Sequence, residues 1–198
     1  MGLDIEYING QTPLDEDEKE GIKIPTITTR GELDEFEQQN IEKAVEWTLK
    51  NKFKLDKILT EKFIKNLHKK MFGDIWKWAG EFRNTNKNIG VDKFQIGIEL
   101  RNLIDDGKYW IENNTFDDDE FAVRFSHRVV KIHLFSNGNG RHSRLLGDII
   151  VNHGFNKPVF TWGVKDLVHK SEARALYLKA IRNADEGDYK KLIEFVRK

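Results

Sequence analysis

Apolar residues recur at helical spacing along most of the chain, which predicts a succession of amphipathic α-helices. The segments with this pattern lie near residues 29–48, 60–72, 100–110, 121–132, 141–153, 171–183 and 189–196. The first of them begins with Thr29 and Glu32, which are spaced as a capping box. Its predicted inner face consists of Leu33, Phe36, Ile41, Ala44, Val45 and Thr48.

Two regions depart from the helical pattern. Between Gly80 and Val91 the chain is rich in Asn and Gly, residues that tolerate positive φ angles, and this predicts a short β-hairpin. The N-terminal 28 residues contain two of the three prolines and an acidic run at residues 15–18. We therefore expect an extended arm over residues 1–28, followed by one helical domain over residues 29–198.

Composition supports a folded domain and excludes several function classes. With 38% hydrophobic and 11% aromatic residues, the chain is too apolar to be disordered. The 33 Lys and Arg residues balance 33 Asp and Glu residues, so no overall field favours direct binding to nucleic acid. No apolar stretch approaches the ~20 residues of a membrane span. Because the N-terminus lacks a secretory pattern, we expect a cytoplasmic protein that makes no membrane contact.

One polar segment between two apolar helices combines the residue types that bind phosphate. Gly138 and Gly140 permit unusual backbone angles and lead into a helix N-terminus, where free N–H groups and the helix dipole favour an anion. Arg141 and Arg144 are three residues apart and lie on one face of that helix. His133, with an ordinary pKa of ~6.5, is suited to accept a proton from an attacking hydroxyl.

Three other interpretations of this segment compete with phosphate binding: a plain turn, another nucleotide-binding motif and a metal site. A Gly-Asn-Gly sequence between helices is most often only a turn. A Walker loop is excluded because its Gly-x-x-x-x-Gly-Lys-Ser/Thr pattern is absent, and a dinucleotide fingerprint requires a preceding strand. A metal site formed by His127, His133 and His142 is a weak alternative, since neither a His-Glu-x-x-His spacing nor a cysteine supports it.

The segment His-Leu-Phe-Ser-Asn-Gly-Asn-Gly-Arg-His-Ser-Arg, residues 133–144, resembles the Fic (filamentation induced by cAMP) motif. That motif is His-x-Phe-x-Asp/Glu-Gly-Asn-Gly-Arg-x-x-Arg, and only its acidic position differs here. The resemblance extends to residues 67–83 and 184–188. With the Thr12-Pro-Leu-Asp arm, nearly the whole chain resembles the Fic subgroup called mobile mystery protein B.

This resemblance implies an all-α Fic-type helical bundle in which the short β-hairpin is a flap that aligns a target segment by strand pairing. It also implies a protein nucleotidyltransferase of the AMPylase type. Such an enzyme transfers a nucleoside monophosphate from ATP, or another NTP, with Mg²⁺ to a Ser, Thr or Tyr hydroxyl of a target protein. A small helix-turn-helix protein, as in a toxin–antitoxin pair, is the expected regulatory partner.

The same resemblance implies roles for individual residues of the motif. His133 would be the general base, and Phe135 would fix the loop to the core. Gly138 and Gly140 would form the anion nest, and Asn139 would steady the loop or contact a phosphate. Gly140 stands where the kinase-like Doc branch carries Lys, which favours nucleotidyl transfer over phosphoryl transfer.

The remaining motif positions concern the phosphates and the metal. Arg141 would hold the β-phosphate and Arg144 the γ-phosphate. Asn137 replaces the acid that binds Mg²⁺ in active members, and its neutral oxygen is a weaker ligand. An alternative function is therefore a nucleotide-binding regulator with little or no activity. The family's inhibitory Ser/Thr-x-x-x-Glu-Gly/Asn motif is absent from the sequence, so we expect Arg144 not to be blocked in cis.

Overall fold

The computed structural model describes residues 13–164, Leu167 and residues 171–198. Within these residues the predicted all-α fold is confirmed. The α-helices are α1 (Glu16–Lys19), α2 (Arg30–Lys50), α3 (Leu55–Ile58), α4 (Glu61–Phe72), α5 (Ile96–Glu112), α6 (Asp118–Ile132), α7 (Asn139–Ile149), α8 (Glu172–Asp185) and α9 (Lys190–Val196). A π-helical turn, Ile150–Gly154, extends α7. Among the described residues, none of the helices combines the length and apolar character needed to span a bilayer.

The core surrounds α6, which is buried on most of its circumference and packs against α5, α7, α8 and α9. The helix α7 packs against both α6 and α4, and α2 covers α4 from the other side. The polar segment that joins α6 to α7 is therefore held at both ends by central helices. This arrangement places the predicted phosphate-binding loop on a rigid support.

The buried face of α2 differs from the face that the apolar pattern predicts. Thr29 and Glu32 form the predicted capping box. However, Phe36 is 38% exposed, whereas the neighbouring Glu37 is only 3% exposed. Residues on the inner face are Leu33, Glu37, Asn40, Ala44 and Thr48. Leu33, Ala44 and Thr48 are buried as the pattern predicts, but the prediction was wrong for Phe36 and missed Glu37 and Asn40. Glu37 and Asn40 can be buried because they have hydrogen-bond partners on α4 and just after it.

The predicted β-hairpin over residues 80–91 is not present: this segment forms turns and bends without a strand. The side chain of Arg83, which is 3% exposed, occupies the space between the two limbs of the segment. Its Nη1 donates to the Thr85 carbonyl at 2.8 Å, and its Nη2 donates to the Val91 carbonyl. Its Nε donates to the His133 carbonyl at 2.6 Å. Because one guanidinium donates hydrogen bonds to carbonyls of both limbs, the limbs do not pair with each other.

The described part of the predicted arm, residues 13–28, packs onto the domain through α1. Lys87 of the 80–91 segment pairs with Asp15 at 2.8 Å and with Glu18. Trp78 Nε1 donates to the Glu18 carbonyl at 3.0 Å. These contacts join α1 to the segment that borders the site. The first twelve residues of the predicted arm, including Thr12, lie outside the described residues.

Candidate functional site

The loop between α6 and α7 is a compact bend with left-handed backbone at both ends. His133 ends α6 at φ 60° and ψ 66°, and Gly138 precedes α7 at φ 77°. Between them, the Asn139 side chain closes the bend: its Oδ1 accepts from the Phe135 amide at 2.9 Å and its Nδ2 donates to the Phe135 carbonyl at 2.7 Å. Asn139 therefore steadies the loop, one of the two roles that the resemblance implies.

A buried aromatic layer supports the loop from below. Phe135 is fully buried and stacks on the His68 ring, with centroids 3.7 Å apart. His68 Nδ1 accepts from the Gly80 amide at 3.0 Å, so the ring proton resides on Nε2, which donates to the Asn137 carbonyl at 3.0 Å. Burial holds the pKa of His68 well below its usual value, which keeps the ring neutral. No local pattern in the sequence indicates this role of His68.

The two glycines of the loop differ in whether the structure leaves room for a side chain. A Cβ atom at Gly138 would lie 2.6 Å from the Phe72 ring, and the positive φ angle disfavours any other residue there. A Cβ atom at Gly140 would meet only Arg144 Nη1, at 3.7 Å. Gly138 is thus required by the fold, whereas Gly140 leaves space over the start of α7 on the side of a cavity.

A cavity of about 610 Å³ opens over the loop and the first turn of α7. Every predicted site residue lines it except Phe135, which lies beneath the loop: the lining set is His133, Asn137, Gly138, Asn139, Gly140, Arg141 and Arg144. The opposite wall comes from α8 and from the 80–91 segment, through residues that include Tyr177, Ile181, Ile89 and Val91. The cavity therefore has a cationic, amide-rich floor, and the opposite wall mixes these apolar residues with the charged Arg174, Arg182 and Asp185 of α8.

His133 is held as a neutral imidazole at the edge of this cavity. Burial lowers the pKa of His133 to about 4, and the positive charges of Arg83 and Lys87 also lower it. Its Nδ1 lies 3.3 Å from the Val130 carbonyl, which can only accept a hydrogen bond. The proton of the neutral ring therefore resides on Nδ1, and the lone pair is on Nε2.

The two arginines of α7 have different surroundings. Arg141 Nη1 forms an ion pair with Glu37 Oε2 at 2.7 Å, and its guanidinium lies over the Phe72 ring at 4.9 Å. The Arg144 guanidinium lies 5.6 Å from the centroid of the Tyr177 ring. Among residues 13–164, 167 and 171–198, no carboxylate forms an ion pair with Arg144.

The residue that the resemblance assigns to the metal, Asn137, carries no charge. Asn137 Oδ1 accepts from the Gly138 amide at 2.6 Å, and the side chain lines the cavity. The described residues contain no cluster of three or more His, Cys, Asp or Glu side chains that could hold a metal ion. Because Mg²⁺ is commonly bound by substrate phosphates and water with one or two protein oxygens, these residues fit an ion that binds mainly through a polyphosphate.

We predict that acid destabilises the protein through its buried histidines. Burial lowers the pKa of His133 and His142 to about 4 and that of His68 well below 6.5. Below pH 6.5 the unfolded chain therefore binds protons that the native state does not. Burial raises the pKa of Asp148 to about 7. The native state therefore takes up a proton at Asp148 as the pH falls, which opposes the loss of stability caused by the histidines. The free energy of unfolding should fall by up to about 3 kcal/mol between pH 7 and pH 5.

Urea titrations at pH 7, 6 and 5 measure this dependence. Asp148→Asn removes the opposing contribution, so its free energy of unfolding should fall more steeply with acid than that of the wild type. A wild-type stability that is constant or higher at pH 5 would show that these histidines take up protons in the native state.

Similarity to known proteins agrees with this geometry. Residues 58–151 match the Fic/DOC family. The protein adenylyltransferase Fic of Drosophila grimshawi is 27% identical over 142 residues, which cover 70% of this chain and 28% of that protein. Its counterpart in Aedes aegypti is 27% identical over 158 residues, covering 78% and 30%. The chain thus spans less than a third of these curated relatives.

Solved structures share the fold. The BepC protein of Bartonella tribocorum, solved with bound AMPPNP, has a TM-score of 0.64 at 18% identity, covering 96% of this chain and 93% of that one. A Fic-1 fragment from C. elegans has a TM-score of 0.61 at 21% identity, covering 80% and 45%. Residues 58–151 therefore match the Fic/DOC family, and the resemblance that the motif predicts is confirmed. The mobile mystery protein B subgroup stays a prediction.

Proposed function

We propose that this chain is a Fic-type protein adenylyltransferase, which transfers a nucleoside monophosphate from an NTP to a hydroxyl group of a target protein. The observation that carries the proposal is the single cavity wall formed by a neutral histidine, a helix N-terminus and two arginines. Relatives named as adenylyltransferases, and a Fic structure with bound AMPPNP, support ATP as the nucleotide. We also propose that residues 29–198 form the Fic domain and that residues 1–28 are an arm that precedes it.

The start of α7 is the proposed phosphate site. Free backbone N–H groups at a helix N-terminus and the positive end of the helix dipole attract anionic oxygens. Gly140 leaves space for close approach, since a Cβ there would meet only Arg144 Nη1. We assign the β-phosphate to Arg141 and the γ-phosphate to Arg144, because guanidinium groups bind phosphate oxygens with paired hydrogen bonds.

His133 is the proposed general base. As the target hydroxyl oxygen attacks the α-phosphorus, its proton moves to Nε2 of His133, while Nδ1 remains oriented by the Val130 carbonyl. The bond between the α-phosphorus and the bridging oxygen breaks, and pyrophosphate leaves. The arginines stabilise the negative charge that develops on the leaving group. Nucleoside monophosphate is then esterified to the target side chain.

Asn137 is the proposed protein ligand of Mg²⁺. A bound Mg²⁺ ion would neutralise charge on the phosphates. The amide oxygen of Asn137 carries no net charge, so the protein contributes less to metal binding than an acid would. This one residue favours the second candidate function, a nucleotide-binding regulator that turns over slowly or not at all.

The experiment that tests the proposal uses labelled nucleotides. Purified protein is incubated with ATP, GTP, UTP or CTP labelled at the α-phosphate, with Mg²⁺ or Mn²⁺ and a cell lysate as the source of targets. Covalent label on the chain or on a target protein supports nucleotidyl transfer. Tight nucleotide binding with no covalent label under any condition would favour the regulator instead.

We predict that Asn137→Asp increases metal-dependent labelling by roughly tenfold, because an anionic oxygen binds Mg²⁺ more strongly than an amide oxygen. The measurement is the labelling rate as a function of Mg²⁺ concentration, which should saturate at lower concentration in the variant. Asn66→Asp is the matched control, since Asn66 is an exposed residue of α4 that does not line the cavity. Equal rates in Asn137→Asp and the wild type would refute the proposed metal position.

The target and the regulator remain proposals. A Ser, Thr or Tyr hydroxyl must reach Nε2 of His133, and the 80–91 segment borders that position, since a Cβ at Gly90 would lie 2.5 Å from the His133 Cβ. We propose that the target contacts this segment. A helix-turn-helix partner stays a prediction from the resemblance, and a cytoplasmic location stays a prediction from the N-terminal sequence.

A further inference from the structure

A buried carboxylate on α2 contacts one of the proposed phosphate-binding arginines. Glu37 is 3% exposed, and both of its oxygens are engaged. Its Oε2 pairs with Arg141 Nη1 at 2.7 Å, and its Oε1 accepts from Trp76 Nε1 at 2.7 Å. A carboxylate is stable inside a protein only when such partners compensate for lost hydration. The position of Glu37 is thus defined by one hydrogen bond and one ion pair.

The ion pair approaches Arg141 from the core side. Arg141 lines the cavity, but Glu37 does not. The carboxylate therefore does not occupy space that a phosphate would need. A guanidinium has five N–H donors, and this pair engages one terminal nitrogen. The Phe72 ring lies against the same guanidinium at 4.9 Å. Glu37 and Phe72 restrict the Arg141 side chain while it still borders the cavity.

The helix that carries Glu37 is itself fixed in place. Asn40, three residues later on the same face, donates through Nδ2 to the Lys70 carbonyl at 3.2 Å. Its Oδ1 accepts from the Asp74 amide at 3.1 Å. These bonds attach α2 to the end of α4 and to the residues that follow it. Glu37 is therefore held by rigid structure and not by a mobile segment.

We propose that Glu37 is a positioning residue for Arg141, an inference that rests on the proposed function. An arginine has many rotamers, and immobilising it when a ligand binds costs conformational entropy. Glu37 restricts Arg141 before the nucleotide arrives, so that its remaining N–H groups meet the phosphate beyond the α-phosphate at lower cost. The contact supports NTP binding and does not inhibit it.

The test compares Glu37→Gln with Glu46→Gln. Glutamine keeps the volume of Glu37, but an amide whose oxygen accepts from Trp76 presents only N–H groups to Arg141. Glu46 is the matched control on the same helix, where it forms an exposed ion pair with Lys50 at 3.1 Å. Calorimetry measures the dissociation constants of a non-hydrolysable ATP analogue and of AMP, which has no β-phosphate.

Glu37→Gln should weaken binding of the ATP analogue by roughly tenfold, as loss of a side chain that orients a ligand-binding group does, and leave AMP binding unchanged. Glu46→Gln should match the wild type for both nucleotides. In an Arg141→Ala background, Glu37→Gln should cause no further loss, because the residue acts through Arg141. Glu37→Asp keeps the charge on a shorter side chain and should weaken analogue binding less than Glu37→Gln does. If the glutamine variant does not fold, the aspartate variant provides the test.

If the wild type binds NTP, the proposed function is supported, and three results would then overturn the inference about Glu37 alone. Tighter analogue binding by Glu37→Gln would identify an inhibitory contact. Analogue affinities equal to the wild type in both Glu37 variants would remove any role. Equal losses for AMP and the analogue, or a loss that persists without Arg141, would indicate a structural role only. If the wild type binds no NTP, the proposed function fails, and the inference fails with it.

Discussion

Replacement of His133 by alanine should reduce protein labelling by at least about a hundredfold, because loss of a general base removes a contribution of 10² to 10⁴. Nucleotide affinity should change little, since the proposed phosphate contacts belong to α7 and its arginines. The contact that His133 provides to Arg83 uses its backbone carbonyl, which alanine retains. Initial labelling rates and calorimetric affinities together separate loss of catalysis from loss of binding.

The pH dependence of the same reaction gives an independent check. With a pKa of about 4, His133 is neutral throughout the range above pH 5, so the labelling rate should fall with acid only near pH 4 and not near 6.5. His153→Ala is the control, because His153 contacts the Phe53 amide and does not line the cavity. A His133→Ala protein that labels at the wild-type rate would exclude His133 as the base.

Gly138→Ala should be the most damaging small substitution in the loop. The new Cβ would lie 2.6 Å from the Phe72 ring at a residue whose φ is +77°. Steric overlap and backbone strain each cost of the order of 1–3 kcal/mol, so we expect the free energy of unfolding to fall by about 3 kcal/mol. Binding of the ATP analogue should weaken by more than tenfold, because displacement of Gly138 moves the first turn of α7.

Gly140→Ala is the matched comparison for stability. Its Cβ would meet only Arg144 Nη1 at 3.7 Å, and the residue already lies within α7. Alanine favours helix over glycine, so the free energy of unfolding should be unchanged or higher by up to about 1 kcal/mol. Urea titrations of the two variants give the comparison. Equal destabilisation by both substitutions would contradict the different structural reasons inferred for these glycines.

Local signals in the sequence were sufficient for α2, for α4 to α9 and for the loop, but not for the short helices α1 and α3. The capping box at Thr29 and Glu32 is present, and Thr60 accepts from the Phe63 amide as an N-cap. The segment 133–144 could be recognised because its chemistry is contained in twelve consecutive positions. Neighbouring residues of one loop lie close together, and the predicted site residues of this segment other than Phe135 line one cavity.

The errors arose where a distant partner decides the structure. The Asn- and Gly-rich segment at 80–91 has the composition of a hairpin. However, the buried Arg83 side chain donates hydrogen bonds to carbonyls of both limbs and to the His133 carbonyl. The inner face of α2 was predicted from apolar residues alone. Glu37 is buried there because Trp76 and Arg141, far away in the sequence, provide its partners. No local pattern encodes such pairs.

Every step of the proposed reaction requires a polyphosphate bound at the start of α7, beside His133. A crystal structure of the protein with a non-hydrolysable ATP analogue and Mg²⁺ tests this binding site. We expect phosphate density against the amides that follow Gly138, in contact with Arg141 and Arg144, with the α-phosphate nearest to His133. An analogue bound at another place, or its exclusion from this cavity at saturating concentration, would show that the start of α7 is not the phosphate site.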